Sequence, residues 1–572
     1  MFFMSEDVFK KAIIAVLMNT PAKALGKEKI ASLIEVPSNR QFGDYAFPCF
    51  QLSKELKKNP NEIALLLEKQ LKPPSIIERT LAVGSYINFF IKKEKLSGQV
   101  ISKTLKQKNS YGSSKQGKGK TVMIEYSQPN TNKPLHIGHL RNIALAMSLS
   151  KILEFNGFRA IKANLYNDRG IHICKSMLAY KKWGKGKTPD EKPDHFVGKF
   201  YVMYSQNETE EMKTELQEML RKWEQGEKQT ISLWKKMNQW TIKGFKETYK
   251  RFGNRFDVEY YESKLYDKAM PMIKKGLEKR VFQKEADGAV ICDMEKYGLG
   301  KKTVLRADGT AIYLTQDLAL AVQKFKDYKL HESLYVVGSE QNFYFRQLFK
   351  IFELLELPFA EKSRHVSYEL VLLPEGKLKS REGKVVDADD LMDEMESLAE
   401  KELKARYTLS EKELSRRKRA IALAAIKFFM LKQENRKSIL FVPEQAISFE
   451  GDSGPYLQYT FARANSILKK SKQKMSKIDF SLLKEDLEKE IISLLKEFQE
   501  KASDSAQNHS PHIIVHYLLS LANKFNSFYH QFPVIQAETK ELARARHALV
   551  QAVAQTMKNG LHLLGIEALE EM

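Results

Sequence analysis

The stretch 121–166 constrains the fold of this chain more than any other. It opens with "TVMIEYS", an apolar run of strand length carrying a glutamate, Glu125, near its end. A polar segment, "QPNTNKPL", follows. From about Ile137 apolar residues recur at helical spacing, with Leu140, Ile143, Ala144 and Met147 on one face and Asn156-Gly157 as a stop. "FRAIKANLYND" then reads as a second strand. Strand, helix and strand at this spacing form a βαβ unit, which implies a parallel sheet with a right-handed crossover. Ligands of such sheets bind beyond the carboxyl ends of the strands, where helix N-termini favour phosphate.

The residues at that point suit a phosphate. His136 and His139 are three apart, so both project from the same side of the first helical turn. Imidazoles there can donate hydrogen bonds to phosphate oxygens as charge shifts in a transition state. Gly138 between them lets a flat base approach the backbone. Lys133 offers a mobile point charge and Pro134 stiffens the entry. Two histidines and a glycine can also simply start a helix; the preceding strand, the lysine and the βαβ setting favour the phosphate site. Glu125 ends the first strand beside it, and buried carboxylates are rare unless paired.

The whole chain has 572 residues, enough for about three domains. Its 94 Lys and Arg against 71 Asp and Glu leave a formal net charge of +23, which points to a polyanionic partner, nucleic acid or an anionic membrane. Cys49, Cys174 and Cys292 lie far apart with no metal-binding or CxxC spacing, so a reduced, cytoplasmic compartment is expected. The start, "MFFMSEDVFKKAII", has no long apolar core and reads as neither a signal peptide nor a membrane span.

Four regions are expected: residues 1–95 a small α+β module, 96–120 a linker by its Gly- and Lys-rich composition, 121–395 the α/β domain, and 396–572 helical almost throughout. Residues from about 185 to 300 read as a charged helical insertion within the α/β domain. Further strands are expected at "AIYLTQD", "SLYVVGSE" and "HVSYELVLL".

"HIGH", His136 to His139, resembles the nucleotide-binding signature of class I aminoacyl-tRNA synthetases, and "EYSQPNTNKPLHIGHLRN" resembles its arginyl-tRNA synthetase form. "FGDYAF", "INFFI", "RADGTAIYLTQDLA", "YVVGSEQ", "GDSGPYLQYTFARANSIL" and "LHLLGIEALEEM" are similar to further segments of that family in the same order. The resemblance implies a multidomain α/β protein. It would have a Rossmann-type parallel-sheet catalytic domain with a helical insertion, a small N-terminal α+β domain that contacts tRNA, and a C-terminal all-α bundle that binds the anticodon. It implies that Glu125, Asn130, His136, Tyr313, Asp317 and Gln341 hold arginine. Carboxylates and planar acceptors are what a guanidinium needs; by themselves, Tyr313 and Asp317 read first as a core aromatic and a helix cap, and the resemblance reverses that reading.

The resemblance further implies that Lys133, His136, Gly138 and His139 hold ATP together with Lys379, Ser380 and Arg381. These last three stand in "EGKLKSREGKVVDADDL" at the family's KMSKS loop, where Ser380 replaces its second lysine. Lys133, His136, His139, Lys379 and Arg381 would carry the catalysis. "DRGIH" puts His172 where the family has glutamine, and "VGSYINF" replaces a Gly-Pro-Gly-Phe-type turn. The implied function is ATP-dependent ligation of L-arginine to tRNA(Arg), with Mg²⁺ carried mostly by ATP, by a cytoplasmic monomer without a membrane partner. A small-molecule nucleotidyltransferase would share the histidine site but need no long helical C-terminal region. A tRNA-binding module without catalysis would not need Lys133, His136, His139 and Glu125 together.

Overall fold

The computed structural model describes residues 8–37, 39–307, 312–374, 386–471 and 478–572. It divides into two compact units: one of residues 1–108, 467–496 and 524–553, the other of residues 109–466, 497–523 and 554–572.

The first unit holds an antiparallel sheet in which Tyr86–Ile91 lies between Tyr45–Pro48 and Ile77–Val83. The helix Pro60–Gln70, opened by Pro60 behind an Asn59 cap, packs on it. Gly43 is required where it stands: its φ is +100°, and a side chain there would meet the Phe89 carbonyl. In the C-terminal part of this unit Arg546 Nε donates to Glu488 Oε1 at 2.7 Å, both side chains buried.

The second unit is built on a five-stranded, wholly parallel sheet in the order Ser363–Tyr368, Glu332–Gly338, Thr121–Glu125, Arg159–Tyr166, Val258–Tyr261. The apolar run expected as the first strand lies in the middle, and its neighbours follow it in opposite directions along the order. The crevice between the carboxyl ends of Thr121–Glu125 and Glu332–Gly338 is therefore the topological switch point, where such sheets take their ligands. The helix Ile137–Phe155 is buried over most of its surface, because it also packs against Ala388–Arg406 and Glu411–Lys432. Asn156 caps it and Gly157 turns the chain with φ +86°.

Three expectations need correction. "AIYLTQD" is not a strand: Tyr313 begins the helix Tyr313–Tyr328. Leu314, Leu318 and Ala321 are buried at helical spacing, and the Thr315 hydroxyl accepts from Ile312 N–H and donates to Val304 O, which outweighs the local strand propensity. The helical reading of about 185–300 holds through Pro193–Gln206, Glu210–Glu224 and Lys228–Phe252 and again at Tyr266–Glu278, but strands interrupt it beyond Phe252. "VEYY" forms the edge strand of the parallel sheet, and Gln283–Lys284, Val290–Asp293 and Lys301–Leu305 form a separate antiparallel sheet. These strands are too short and too charged to show periodicity. The stretch 96–120 is not an open linker: the helix Lys93–Gln107 fills its first half, and Gly117 packs so closely on Phe158 that no side chain fits there.

Candidate functional site

At the switch point lies a cavity of about 1320 Å³. It exceeds the roughly 300–1,000 Å³ usual for one small ligand. One wall is the start of the helix Ile137–Phe155. His136 is its N-cap residue, and its Nδ1 accepts from Gly138 N–H at 3.2 Å. His139 Nδ1 accepts from His136 N–H at 3.1 Å, and the two rings stand 3.9 Å apart. A backbone N–H can only donate, so both Nδ1 atoms are unprotonated and each neutral ring carries its proton on Nε2. Burial, then the neighbouring Lys133 charge, lowers the His136 pKa to about 4. Burial, then His136 and Lys133, push the His139 pKa well below that of an ordinary histidine. The pair thus offers two uncharged N–H donors. Gly138 has a local reason to lack a side chain, since a Cβ would press on the His136 ring at 3.0 Å.

The opposite wall is acidic. The chain leaves Glu125 through Ser127 and Gln128, both with positive φ, +75° and +46°. Non-glycine residues adopt this conformation only when their surroundings hold them. Asn142 Oδ1 accepts from Ser127 N–H at 2.6 Å, and Asn164 Oδ1 accepts from Gln128 N–H at 3.0 Å. The turn aims Gln128 Nε2 at Glu125 Oε1, 2.7 Å away. Glu125 is buried, and its Oε2 pairs with the ammonium of Lys324, itself without solvent exposure. Burial works against the Lys324 charge, but Glu125, together with Tyr335 and Asp317, outweighs it and raises its pKa. Asp317 accepts from the Tyr344 hydroxyl. Burial drives the Asp317 pKa up to about 7; Tyr344 and Lys324 oppose the shift and Glu125 adds to it.

The cavity lining gathers Glu125, Asn130, His136, Gly138, His139, Tyr313, Asp317 and Gln341. Asn130 sits on a loop held by Asn167, whose Nδ2 donates to Gln128 O at 2.9 Å and whose N–H donates to Pro129 O at 3.0 Å. Tyr313 is 59% exposed into this space. Gly338 leaves room for the Glu340 carboxylate to fold back over the strand end. Lys133 is not part of the lining; its backbone packs near Gly198 of the inserted helix, though its charge acts on both histidines. Burial lowers the Lys133 pKa. His172 is also outside the lining. Lys379, Ser380 and Arg381 lie outside the described residues.

Sequence reasoning missed Gln128, Asn142, Lys324 and Tyr344. Gln128 and Asn142 stood within the quoted motif, but their partners Asn164, Val336 and Tyr368 come from other strands. Lys324 shares a helical face with Asp317, seven residues on, a signal hidden by reading that segment as a strand.

The chain downstream of the basic segment is tied to the histidine wall. Ile137 N–H donates to Val386 O at 2.9 Å, and Ala388 N–H donates to Leu135 O at 3.0 Å. Asp389 is gripped by Lys192 at 3.0 Å and by Thr248 at 2.9 Å, and Lys192 also reaches Asp194 at 2.7 Å. Asp194, His195 and Asp389 are, among the described residues, the one cluster with metal-ligand spacing. The Lys192 ammonium already supplies its cation, so these side chains do not fit a resident metal.

Known proteins match this arrangement. The family described as tRNA synthetases class I (R), catalytic domain, matches residues 100–441; an arginyl tRNA synthetase N terminal domain matches 6–91, and a DALR anticodon binding domain 457–572. The arginine–tRNA ligase of Treponema denticola is 43% identical over 562 residues, covering 94% of each chain, and that of Treponema pallidum is 38% identical, covering 99% of each. The solved Thermus thermophilus arginyl-tRNA synthetase superposes with a TM-score of 0.81 at 29% identity, covering 98% of this chain and all of that one. Fold, cavity and relatives agree, and the chain belongs to the class I arginyl-tRNA synthetases.

Proposed function

We propose that the cavity activates L-arginine with ATP and passes it to tRNA(Arg), the ligation that defines this family, with the following division of labour. Glu125 and Asp317 hold the guanidinium, with Tyr313 alongside. Asn130, Gln341 and His136 meet the α-amino and carboxylate groups. The arginine carboxylate oxygen attacks the α-phosphorus of ATP, and the bond to the leaving pyrophosphate breaks. His136 and His139 donate their Nε2 protons as hydrogen bonds to the phosphates. As neutral donors they stabilise developing charge without exchanging a proton. Gly138 would admit the nucleotide base, Ser380 is assigned to ATP by the family resemblance, and Lys133, Lys379 and Arg381 would supply the cations for pyrophosphate. A Mg²⁺ ion would arrive with ATP and neutralise phosphate charge; no described cluster of side chains is shaped to hold it beforehand. A ribose hydroxyl of the terminal adenosine, the 2′-OH by class resemblance, then attacks the carbonyl carbon and releases AMP.

The observation that carries this reading is one cavity with two neutral imidazole donors on one wall and two carboxylates on the other, large enough for both substrates at once. Residues 1–95 would contact the tRNA elbow and 396–572 the anticodon, the net charge of +23 answering the tRNA phosphates. We expect a monomer acting in the cytoplasm; no helix among the described residues is long and apolar enough to cross a membrane. Transfer of labelled arginine to bulk tRNA with ATP tests the function. Arginine charged in an ATP-dependent way supports it. Adenylation of a small molecule without tRNA, or tRNA binding without turnover, would replace it by one of the two rival readings.

A further inference from the structure

Beneath the acidic wall lies a cation that the reading above leaves unused. Lys324 follows Asp317 by seven residues on the helix Tyr313–Tyr328, so the two share a face. Its side chain has no solvent exposure, its Nζ pairs with Glu125 Oε2, and it stands 4.2 Å over the Tyr335 ring. Among the described residues neither Nζ nor Oε2 has another hydrogen-bond partner. Lysine is almost never fully buried unless paired, so this ammonium is there for Glu125.

Its geometry shows what it does for Glu125. Gln128 holds Oε1 at 2.7 Å and Lys324 holds Oε2, which fixes the plane of the carboxylate. A carboxylate accepts about four hydrogen bonds, so the two held contacts leave acceptor positions for a fork of guanidinium N–H groups. The charges also count. Two acids and one buried ammonium leave a single negative charge when both acids are ionised, and one arginine side chain completes the balance. Without Lys324, two buried carboxylates would face one guanidinium.

We propose that Lys324 is a positioning residue for arginine: it clamps the Glu125 carboxylate from beneath the cavity and sets the charge of the guanidinium site so that one monocation neutralises it. The proposal rests on the reading that Glu125 and Asp317 receive the guanidinium.

The test is arginine-dependent exchange between pyrophosphate and ATP, with tRNA present. It compares the wild type, Lys324→Met, Glu125→Gln and the double variant Lys324→Met/Glu125→Gln. Methionine keeps the length and apolar packing of the lysine stem. Lys324→Met should raise the KM for arginine by about tenfold or more, because it leaves a buried carboxylate unpaired. The KM for ATP and kcat should stay within about twofold. The double variant should be no worse for arginine than Glu125→Gln alone, since both changes remove one contact. It also replaces the ion pair by a neutral pair, so it answers the question even where Lys324→Met folds poorly. An unchanged arginine KM in Lys324→Met, an equal rise in the KM for ATP, or additive effects in the double variant would each overturn the proposal. An unchanged arginine KM in Glu125→Gln would instead remove the guanidinium reading beneath it.

Discussion

On the proposed assignment of Asp317 to the guanidinium, arginine recognition should depend on pH in a way that can be worked out from its surroundings. Burial pushes its carboxyl from 3.8 to about 7, and Glu125 adds to the shift against Tyr344 and Lys324. A guanidinium binds the ionised form. With a pKa of about 7, Asp317 is about nine-tenths ionised at pH 8 and about one-tenth at pH 6. The KM for arginine should therefore rise about tenfold as the pH falls from 8 to 6. The histidine wall titrates nowhere in that range, since His136 lies at about 4 and His139 far below its usual value. Bound arginine favours the carboxylate, so its binding at pH 7 should eject about half a proton. The release can be read by calorimetry in two buffers of different ionisation enthalpy. The sign for folding is the reverse of the usual salt-bridged acid. The folded pKa is raised, so without arginine this group's contribution is fully present below 3.8 and is lost as pH climbs through about 7. A flat arginine KM between pH 6 and 8 would refute the reasoning, as would proton release that persists in Asp317→Asn.

Arg141, buried on the histidine-bearing helix, donates to the carbonyls of Glu369, Leu370, Asn435 and Lys437 at 2.5, 3.0, 3.3 and 2.8 Å. Burial lowers its pKa to about 10, so it remains charged at neutral pH, and Arg141→Met should cost about 3–5 kcal/mol of stability, read as a lower denaturation midpoint in urea. Family resemblance leads us to expect that exchange between pyrophosphate and ATP needs tRNA; robust exchange without any tRNA would remove that expectation but leave the ligase reading intact. The charge of +23 predicts that the logarithm of tRNA affinity falls with the logarithm of salt by roughly 0.7–0.9 per phosphate contacted, and filter binding across a salt series would show a flat line if phosphate contacts do not dominate.

The parts of this molecule legible in its sequence are those whose cause is local. The βαβ unit announces itself because one apolar strand and one apolar helical period sit within 46 residues, 121–166. The histidine wall is legible for the same reason: its cap, both rings and the glycine between them fall within four consecutive residues, so spacing alone places them on one turn. What spacing could not show is their charge state. That depends on which ring nitrogen each backbone N–H uses, and on burial by helices more than 200 residues downstream. Local signals also mislead when they are short. Tyr313-Leu314-Thr315 has strand-like composition, yet the burial of Leu318 and Ala321 further on decides for a helix. That one choice moves Asp317 and Lys324 onto a common face.

The acidic wall is the harder case because its chemistry comes from residues scattered along the chain. Glu125 ends one strand, Gln128 is swung back by a left-handed turn, Lys324 and Asp317 come from a helix about 190 residues later, and Tyr344 from the helix after that. Each is ordinary where it stands in the sequence. A buried carboxylate, however, obliges the fold to supply a partner. Glu125 at the end of an apolar strand already implied one, and the expectation assigned that partnership entirely to the substrate. The structure divides it: Lys324 and Gln128 partner Glu125, while Asp317, with the Tyr344 hydroxyl as its hydrogen-bond partner and a carboxyl raised to about 7, has no ion pair among the described residues. On the proposed reading, arginine is thus needed less to neutralise Glu125 than to bring Asp317 to its charged form.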